Sequence, residues 1–233
     1  QFADAALAML DPDDPLLARD VERLNQIRAA RDAAAASYFE RNAADWERVR
    51  ALHLPEADID NAILAAAGKG PFEVMVDVGV GQGRMIQLFA DRVVRAEGFD
   101  TSRQMLAIAR ASLDDLKAKA AVRFGDAYAP PVIAGAADLV TIHQVLHFLS
   151  DPARAIAEAA RLLKTGGKLL IVDFAPHTLE FLREDHAHRR LGFSDSEIGE
   201  WCEAAGLSRP KVTTLAPQRR DALTVKIWAG VKS

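Results

Sequence analysis

The stretch that most constrains this chain is residues 74–84, VMVDVGVGQGR, in which an apolar run leads through Asp77 into three glycines. The run is nearly unbroken and rich in β-branched residues, which is typical of a strand buried on both faces of a parallel sheet. Gly79, Gly81 and Gly83 have no Cβ atom, so the turn after the strand can bring backbone N–H groups close to a ligand. The stretch therefore predicts a nucleotide-type cofactor at the end of a buried strand.

The spacing and charge of this loop argue against a dinucleotide. A dinucleotide fingerprint reads G-x-G-x-x-G, whereas here the third glycine falls one residue early, at Gly83, and Arg84 follows it. The Asp77 carboxylate would repel phosphate and attract a cation. S-adenosylmethionine is cationic at sulfur, carries an ammonium group and has no phosphate, so it suits this loop better. A nicotinamide-dependent oxidoreductase is disfavoured on the same grounds.

Composition limits the remaining possibilities. The chain has 233 residues, 50% of them hydrophobic, which is enough to bury a sizeable core. A formal net charge of −4 argues against a broad nucleic-acid-binding surface on this region. Cys202 is the single cysteine, which excludes an internal disulfide and makes arsenic methylation, a reaction that uses several thiols, a poor candidate. No apolar run of about 18 residues is present to span a membrane, and we expect a cytoplasmic protein.

The pattern of apolar residues divides the chain near residue 68. Residues 1–68 predict a helical arm and lid, with a long helix that begins at Asp14 and a shorter helix over 55–67. From 69 to 233, strands and helices alternate, which indicates an α/β domain with a mostly parallel seven-stranded sheet and helices on both faces. The long helix has an apolar stripe of Leu17, Val21, Leu24 and Ile27. The predicted strands are 73–79, 95–100, 121–125, 137–142, 168–174, 209–216 and 222–231, and the helices between them are 83–93, 102–118, 152–164 and 194–206.

Two further acidic residues follow predicted strands. Asp100 ends the second strand, 21 residues after Gly79, where an acidic residue of a nucleotide-binding fold accepts hydrogen bonds from ribose hydroxyls. A helix cap is the alternative, although Ser102 could fill that role. Asp126 and Ala127 end the third strand at the same edge of the sheet, where a carboxylate can read an adenine amino group; a turn cap is the alternative for Asp126.

Five segments together resemble, in order, the class I S-adenosylmethionine-dependent methyltransferases over residues 72–232. They are VDVGVGQGR, GFDTSRQML, GDA, ADLVTIHQVLHFLSDP and LLKTGGKLLIVDF. The resemblance implies a Rossmann-like sheet whose terminal hairpin inserts an antiparallel last strand, with S-adenosylmethionine as cofactor and S-adenosylhomocysteine as product. The cofactor-binding residues that it implies are Asp77, Gly79 and Gly81 for the methionine half, Asp100 for the ribose, Asp126 and Ala127 for the adenine, Thr101 and Met105 at the flanks, and His143 near the sulfonium.

The amino-terminal region resembles two narrower groups within this family. SYFERNAADWERVR is similar to the lid helix of the ubiquinone-biosynthesis-type branch, which implies that Tyr38 closes over the cofactor. YFERNAADW, with HQVLHFLSDP and EDHAHRRLGFSD, resembles a bacterial subgroup in which the methyltransferase follows an ArsR-type winged-helix regulator. That resemblance implies a connector or dimer arm in the first helix, so we expect a homodimer through the amino-terminal helices.

Histidines concentrate late in the chain. Five of the six follow residue 140, in loops expected to gather above one sheet edge. Imidazole can act as a general base near pH 7, and we predict His147 and His143 as the catalytic candidates. A structural role is the alternative, and metal binding with Asp173 or Asp185 is disfavoured because no tight ligand motif is present. We therefore expect no bound metal.

These observations favour an enzyme that transfers a methyl group to a small molecule, at oxygen or nitrogen. The alternative is a domain that senses S-adenosylmethionine or S-adenosylhomocysteine and reports to a transcription regulator. Tight cofactor binding without turnover would favour the alternative. Neither function predicts a nucleic acid or a membrane as partner of this region.

Overall fold

The computed structural model describes residues 56–216 and 223–233, together with residues 15, 18–24, 26 and 27 near the amino terminus. The described residues of that first segment are helical, as the predicted long helix requires. Val21, Leu24 and Ile27 of its apolar stripe are exposed. The predicted helix cap Asp14, the stripe residue Leu17 and the lid residue Tyr38 lie outside the described residues.

Seven strands and six α-helices make up the described part of the domain. The strands are β1 (Phe72–Val78), β2 (Val93–Asp100), β3 (Ala120–Phe124), β4 (Ala137–His143), β5 (Leu163–Phe174), β6 (Lys211–Leu215) and β7 (Val225–Val231). The helices are α1 (Glu56–Ala67), α2 (Arg84–Leu88), α3 (Arg103–Ser112), α4 (Pro152–Leu162), α5 (Phe181–Asp185) and α6 (Asp195–Ala204).

The strands form one sheet in the order β3-β2-β1-β4-β5-β7-β6. The first five strands along the chain pair in parallel. β7 lies between β5 and β6 and is antiparallel to both. The predicted Rossmann-like, mostly parallel sheet with an antiparallel last strand is confirmed.

Several element boundaries differ from the predicted ones. The predicted helices 83–93 and 102–118 end early, at Leu88 and Ser112, and each is followed by a short 3₁₀ helix. β5 begins at Leu163, several residues before the predicted start, because its first residue already pairs with Ala137. The register then shifts before Leu139, so the strand crosses its glycine pair instead of beginning after it.

Side chains alternate along the strands to supply two cores, one on each face of the sheet. α4 and α6 cover one face, where Ile156 and Ile198 pack with Trp228. α1, α2 and α3 cover the other face, where Ile63 of α1 and Leu106 of α3 belong to one buried cluster. The sheet is thus buried on both sides, which accounts for its continuous apolar strands.

α1, which the sequence placed in the amino-terminal arm, packs directly on the sheet. Ile63 is fully buried against this face, and Gly68 ends the helix at a φ of +91°. The Lys168 ammonium on β5 donates hydrogen bonds to the carbonyls of Ala66 (3.1 Å) and Ala67 (2.6 Å) at the end of α1. These contacts fix the last turn of α1 to the domain.

The part of the chain that the structure describes contains no helix long and apolar enough to cross a membrane.

Candidate functional site

The strand order reverses between β1 and β4, because β2 lies on one side of this pair and β5 on the other. In open α/β sheets, ligands bind outside the carboxyl ends of the strands at such a switch point. The predicted residues Asp77, Asp100 and His143 lie at or near the ends of β1, β2 and β4, and Asp126 follows the end of β3. The fold therefore brings the predicted acidic residues and His143 to one edge.

The glycine loop after β1 is held firmly on its inner side. The N–H groups of Gly79 and Val80 both donate to the Phe99 carbonyl, at 2.9 and 3.0 Å. Gly79 has a φ of +69°, and a Cβ atom there would lie 2.5 Å from Cγ2 of Val145. Gly79 is therefore required by the packing of the loop against the segment after β4.

Gly81 is the open point of the same loop. Its φ is +51°, and a Cβ atom built on it would meet nothing within 4 Å. Its N–H donates to Oδ2 of Asp100 at 2.9 Å. A ligand can therefore approach the backbone here, beside a carboxylate that the loop itself orients.

Asp77 lies in β1 opposite Thr141 of β4, and it is only 2% exposed. The Thr141 hydroxyl donates to its Oδ1 at 2.6 Å. Burial raises the pKa of the Asp77 carboxyl to about 7; the Thr141 hydrogen bond opposes the rise and the nearby Asp100 charge adds to it. A buried carboxylate of this kind is stabilised by a cation, which fits the cationic methionine half of S-adenosylmethionine.

Asp100 is oriented by backbone donors at the end of β2. Burial raises its pKa, and hydrogen bonds from the N–H groups of Ser102, Gly81 and Thr101 oppose the rise. The Ser102 hydroxyl accepts from the Met105 N–H and caps α3, so the helix-cap role belongs to Ser102. Each carboxylate oxygen of Asp100 can accept more than one hydrogen bond, so these backbone donors leave capacity for ribose hydroxyls.

The other predicted cofactor residues occupy different environments. Asp126 is exposed and its Oδ1 accepts the Tyr128 N–H at 2.9 Å, so it caps a turn as the alternative had it. Its second oxygen takes no part in that bond. Ala127 and Met105 are buried, whereas Thr101 is exposed.

His147 forms a buried pair with Asp173. His147 lies in a 3₁₀ helix after β4, Asp173 lies near the end of β5, and their exposures are 2% and 0%. Nδ1 of the imidazole is 2.7 Å from Oδ1 of Asp173, and the His147 backbone N–H donates to Oδ2 at 3.3 Å. Stacking on the His188 ring, with centroids 4.1 Å apart, covers one side of the imidazole. The pair fixes the orientation and the tautomer of the ring.

His143 and His147 do not share one helical face. His143 is the last residue of β4, where it pairs with Val172, and the chain turns before the 3₁₀ helix of His147 begins. Among the described residues, no group of three or more His, Cys, Asp and Glu side chains could hold a metal ion.

Sequence reasoning missed two residues at this edge and gave a third a different role. Gln144 is buried and has a φ of +54°, a strained backbone that clusters at functional sites; nothing in the local sequence signals it. Thr141 was missed because it lies within a mostly apolar strand. Its position opposite Asp77 follows from the pairing of β1 with β4. Asp173 was considered only as a metal ligand, and the structure pairs it with His147.

A seven-stranded sheet with one reversed strand and acidic residues at the ends of its first three strands defines a Rossmann-like class I methyltransferase fold. A family model described as methyltransferase domain matches residues 76–171. The ubiquinone biosynthesis O-methyltransferase of Pseudomonas aeruginosa (strain UCBPP-PA14) is 30% identical over 197 residues, which cover 76% of this chain and 83% of that protein. The chain belongs to the class I S-adenosylmethionine-dependent methyltransferases, which confirms the predicted enzyme class and the predicted cofactor.

Other proteins are similar to this chain in sequence or in fold. An uncharacterized methyltransferase of Mycobacterium tuberculosis is 35% identical over 54% of this chain and 48% of its own length. The chain spans about half the length of several such relatives, including 51% of an uncharacterized transposon protein of Streptomyces fradiae. A methyltransferase structure from Thermotoga maritima is 24% identical, with a TM-score of 0.67 over 84% of this chain and 99% of that one. The structure of YcgJ from Bacillus subtilis is 19% identical, with a TM-score of 0.63, and the match covers 74% of this chain and 97% of that chain.

Proposed function

We propose that this protein transfers the methyl group of S-adenosylmethionine to an oxygen or nitrogen atom of a small molecule. The observation that carries the proposal is the buried pair of His147 and Asp173 at the carboxyl edge of β4 and β5. An oxygen or nitrogen nucleophile must lose a proton as it accepts a methyl group, and an oriented imidazole can remove it.

We infer a distinct contact at this edge of the sheet for each part of the cofactor. Asp77 and the glycines at 79 and 81 face the methionine half, Asp100 the ribose, and Asp126 with Ala127 the adenine. Thr101, Met105 and His143 complete this set. When bound, S-adenosylmethionine supplies an electrophilic methyl carbon, so the protein's main task is to align the acceptor with it.

His147 is the proposed general base. With Nδ1–H donated to Asp173, the neutral ring carries its lone pair on Nε2. That nitrogen would take the proton from the acceptor, while Asp173 acts as a positioning residue. His143, at the end of β4, is the second candidate and would lie nearer the sulfonium.

Names of relatives support a small acceptor. The Pseudomonas aeruginosa relative is named for O-methylation in ubiquinone biosynthesis, and a Renibacterium salmoninarum relative, 30% identical over 53% of this chain, is named a demethylmenaquinone methyltransferase.

We also propose that Tyr38 is a lid residue and that the protein forms a homodimer through the amino-terminal helices. The exposed apolar side chains of Val21, Leu24 and Ile27 support the homodimer. The ArsR-type subgroup and a cytoplasmic location stay predictions.

The test measures binding and turnover separately. Calorimetric titration with S-adenosylhomocysteine gives the cofactor affinity, and S-adenosylhomocysteine release over a panel of phenols, alcohols and amines gives turnover. We expect micromolar-range binding, with turnover on at least one oxygen or nitrogen acceptor and none on matched hydrocarbons. Tight binding without turnover on any acceptor would instead identify a sensing domain.

A further inference from the structure

The ring of His177 carries a buried nitrogen without a hydrogen-bond partner among the described residues. His177 lies just after β5, and its Nδ1 accepts the Leu179 N–H at 3.3 Å. The neutral ring must therefore carry its proton on Nε2. That Nε2 atom is buried and unpartnered. The ring therefore holds a fixed N–H donor for which the described chain supplies no acceptor.

Such a donor is unfavourable unless something accepts its hydrogen bond. Buried polar groups in native proteins are nearly always paired, so an unpaired one calls for an explanation. Burial is the largest cause that lowers the pKa of His177, and it outweighs the opposing effect of the Asp173 carboxylate. The ring therefore stays neutral and offers one N–H, not a positive charge. A lone-pair atom of a bound molecule would satisfy it.

His177 is placed beside the proposed catalytic pair. Its backbone N–H donates to the Leu191 carbonyl at 3.0 Å, which closes the loop between these residues. Its ring meets the Phe174 ring edge-on, with centroids 6.3 Å apart. Phe174 in turn lies against the His147 ring at 5.2 Å. One aromatic ring thus separates the unpaired donor from His147.

We propose that Nε2–H of His177 donates a hydrogen bond to an oxygen of the methyl acceptor, and so selects acceptors that carry a hydroxyl, phenolate or carbonyl group at this point. The proposal rests on the methyltransferase function proposed above. An ammonium group at the same point has only N–H donors and would leave two donors facing each other. His177 would therefore favour oxygen-bearing acceptors over the matched amines, which narrows the choice between O- and N-methylation.

The test compares His177→Phe, which keeps a ring of similar size but no donor, with His177→Gln, which restores a donor. His186→Phe is the matched control, because His186 lies on the same segment and its ring packs edge-on against Phe181 at 6.0 Å. Acceptors are phenol, catechol and hydroxyquinones, together with alkyl alcohols that are each matched with the alkylamine that replaces the hydroxyl, because an alkylamine is an ammonium ion near neutral pH whereas an arylamine keeps a lone pair. We expect His177→Phe to raise KM for oxygen acceptors about tenfold with unchanged S-adenosylhomocysteine affinity. His177→Gln should recover most of the loss, and His186→Phe should have no effect.

Thermal unfolding of the ligand-free protein supplies a second readout that does not need turnover. If Nε2–H is unpaired in the absence of an acceptor, His177→Phe loses only the hydrogen bond from the Leu179 N–H to Nδ1, so its Tm should fall by no more than about 2–4 °C. A KM unchanged by His177→Phe, or a fall in its ligand-free Tm of more than about 4 °C, would overturn the proposal. Failure of the proposed function looks different, because wild type would then bind S-adenosylhomocysteine and release none with any acceptor. In that event the Tm comparison still tests whether Nε2–H of His177 is unpaired in the ligand-free protein.

Discussion

The Thr141 hydroxyl donates a 2.6 Å hydrogen bond to the buried carboxylate of Asp77, across the pair of strands where the sheet order reverses. Among the causes that shape the Asp77 pKa, the Thr141 hydroxyl is the only side-chain donor. Burial raises the pKa by more than this hydrogen bond lowers it. The ligand-free site therefore holds a carboxyl group that ionises near neutral pH. A cationic ligand would shift that equilibrium toward the carboxylate.

We predict that cofactor affinity depends on pH through Asp77. Its pKa of about 7 in the folded protein means that the carboxyl group is protonated in more acidic buffer, where it attracts a cation poorly. S-adenosylmethionine affinity should fall about tenfold per pH unit below 7 and level off above it. Calorimetric titration between pH 5.5 and 8.5 measures this. Asp77→Asn should bind weakly at every pH, and parallel profiles for both proteins would contradict the assignment.

The same ionisation predicts a change in stability. The carboxyl group has an ordinary pKa of 3.8 and a folded-state pKa of about 7, so the folded protein binds the proton more tightly. Stability is therefore lost as pH rises from about 4 to about 7, by roughly 4 kcal/mol in total. Asp77→Asn removes this loss. Urea unfolding of the ligand-free proteins should show that the unfolding free energy of Asp77→Asn increases relative to that of wild type as pH rises. A difference in unfolding free energy that stays constant with pH would argue against a buried, ionising carboxyl group.

Asp100 should matter for both the loop and the cofactor. Asp100→Ala removes the acceptor for the N–H groups of Gly81 and Ser102, so we expect a loss of about 1–3 kcal/mol in unfolding free energy together with loss of cofactor binding. Asp126→Ala is the comparison, because that side chain is exposed and accepts one turn N–H. It should weaken binding with little effect on stability. Equal cofactor affinity in wild type and Asp100→Ala would remove Asp100 from the site.

The two loop glycines should separate stability from binding. Gly79→Ala places a Cβ atom 2.5 Å from Val145 at a φ of +69°, so it should destabilise the fold by about 2–4 kcal/mol. The Cβ atom added by Gly81→Ala would meet no other atom within 4 Å. Its only cost is the left-handed backbone, with a φ of +51°, which destabilises the protein by about 1 kcal/mol. It should mainly weaken cofactor binding. Tm and calorimetric affinity measured on both variants check this, and identical behaviour of the two would contradict the open side at Gly81.

Local patterns predicted the fold well because each strand carries its own signal. β1 was found within one residue from its β-branched run. The predicted helix 194–206 corresponds to α6, which begins at a capping box formed by Ser194 and Glu197. β5 was mistaken at its start because Gly166 and Gly167 predict a turn, whereas pairing with Ala137 continues the strand across them. Tertiary pairing there overrode a local turn signal.

The candidate site shows the same contrast between residues that the local sequence locates and residues that only tertiary pairing brings together. Acidic residues at strand ends could be located in advance, since parallel strands bring their carboxyl ends to one edge. The partner of His147 could not, because Asp173 lies 26 residues further along the chain and only the pairing of β4 with β5 brings the two together. The unpaired nitrogen of His177 also needs coordinates, since its burial depends on how the loop from 177 to 191 closes.

The role of His147 can be tested without removing its contact to Asp173. His147→Asn keeps an N–H near the position of Nδ1 that can donate to the carboxylate, but has no nitrogen at the position of Nε2 to accept a proton. We expect cofactor affinity within about twofold of wild type and a loss of about 10²–10⁴ in kcat. Asp173→Asn should also lower kcat and should shift the pH–rate profile, because an amide that donates to Nδ1 leaves the proton on Nε2. Full activity in His147→Asn would exclude it as the base and leave His143 as the remaining candidate. An unshifted pH–rate profile in Asp173→Asn would mean that Asp173 has a structural role only.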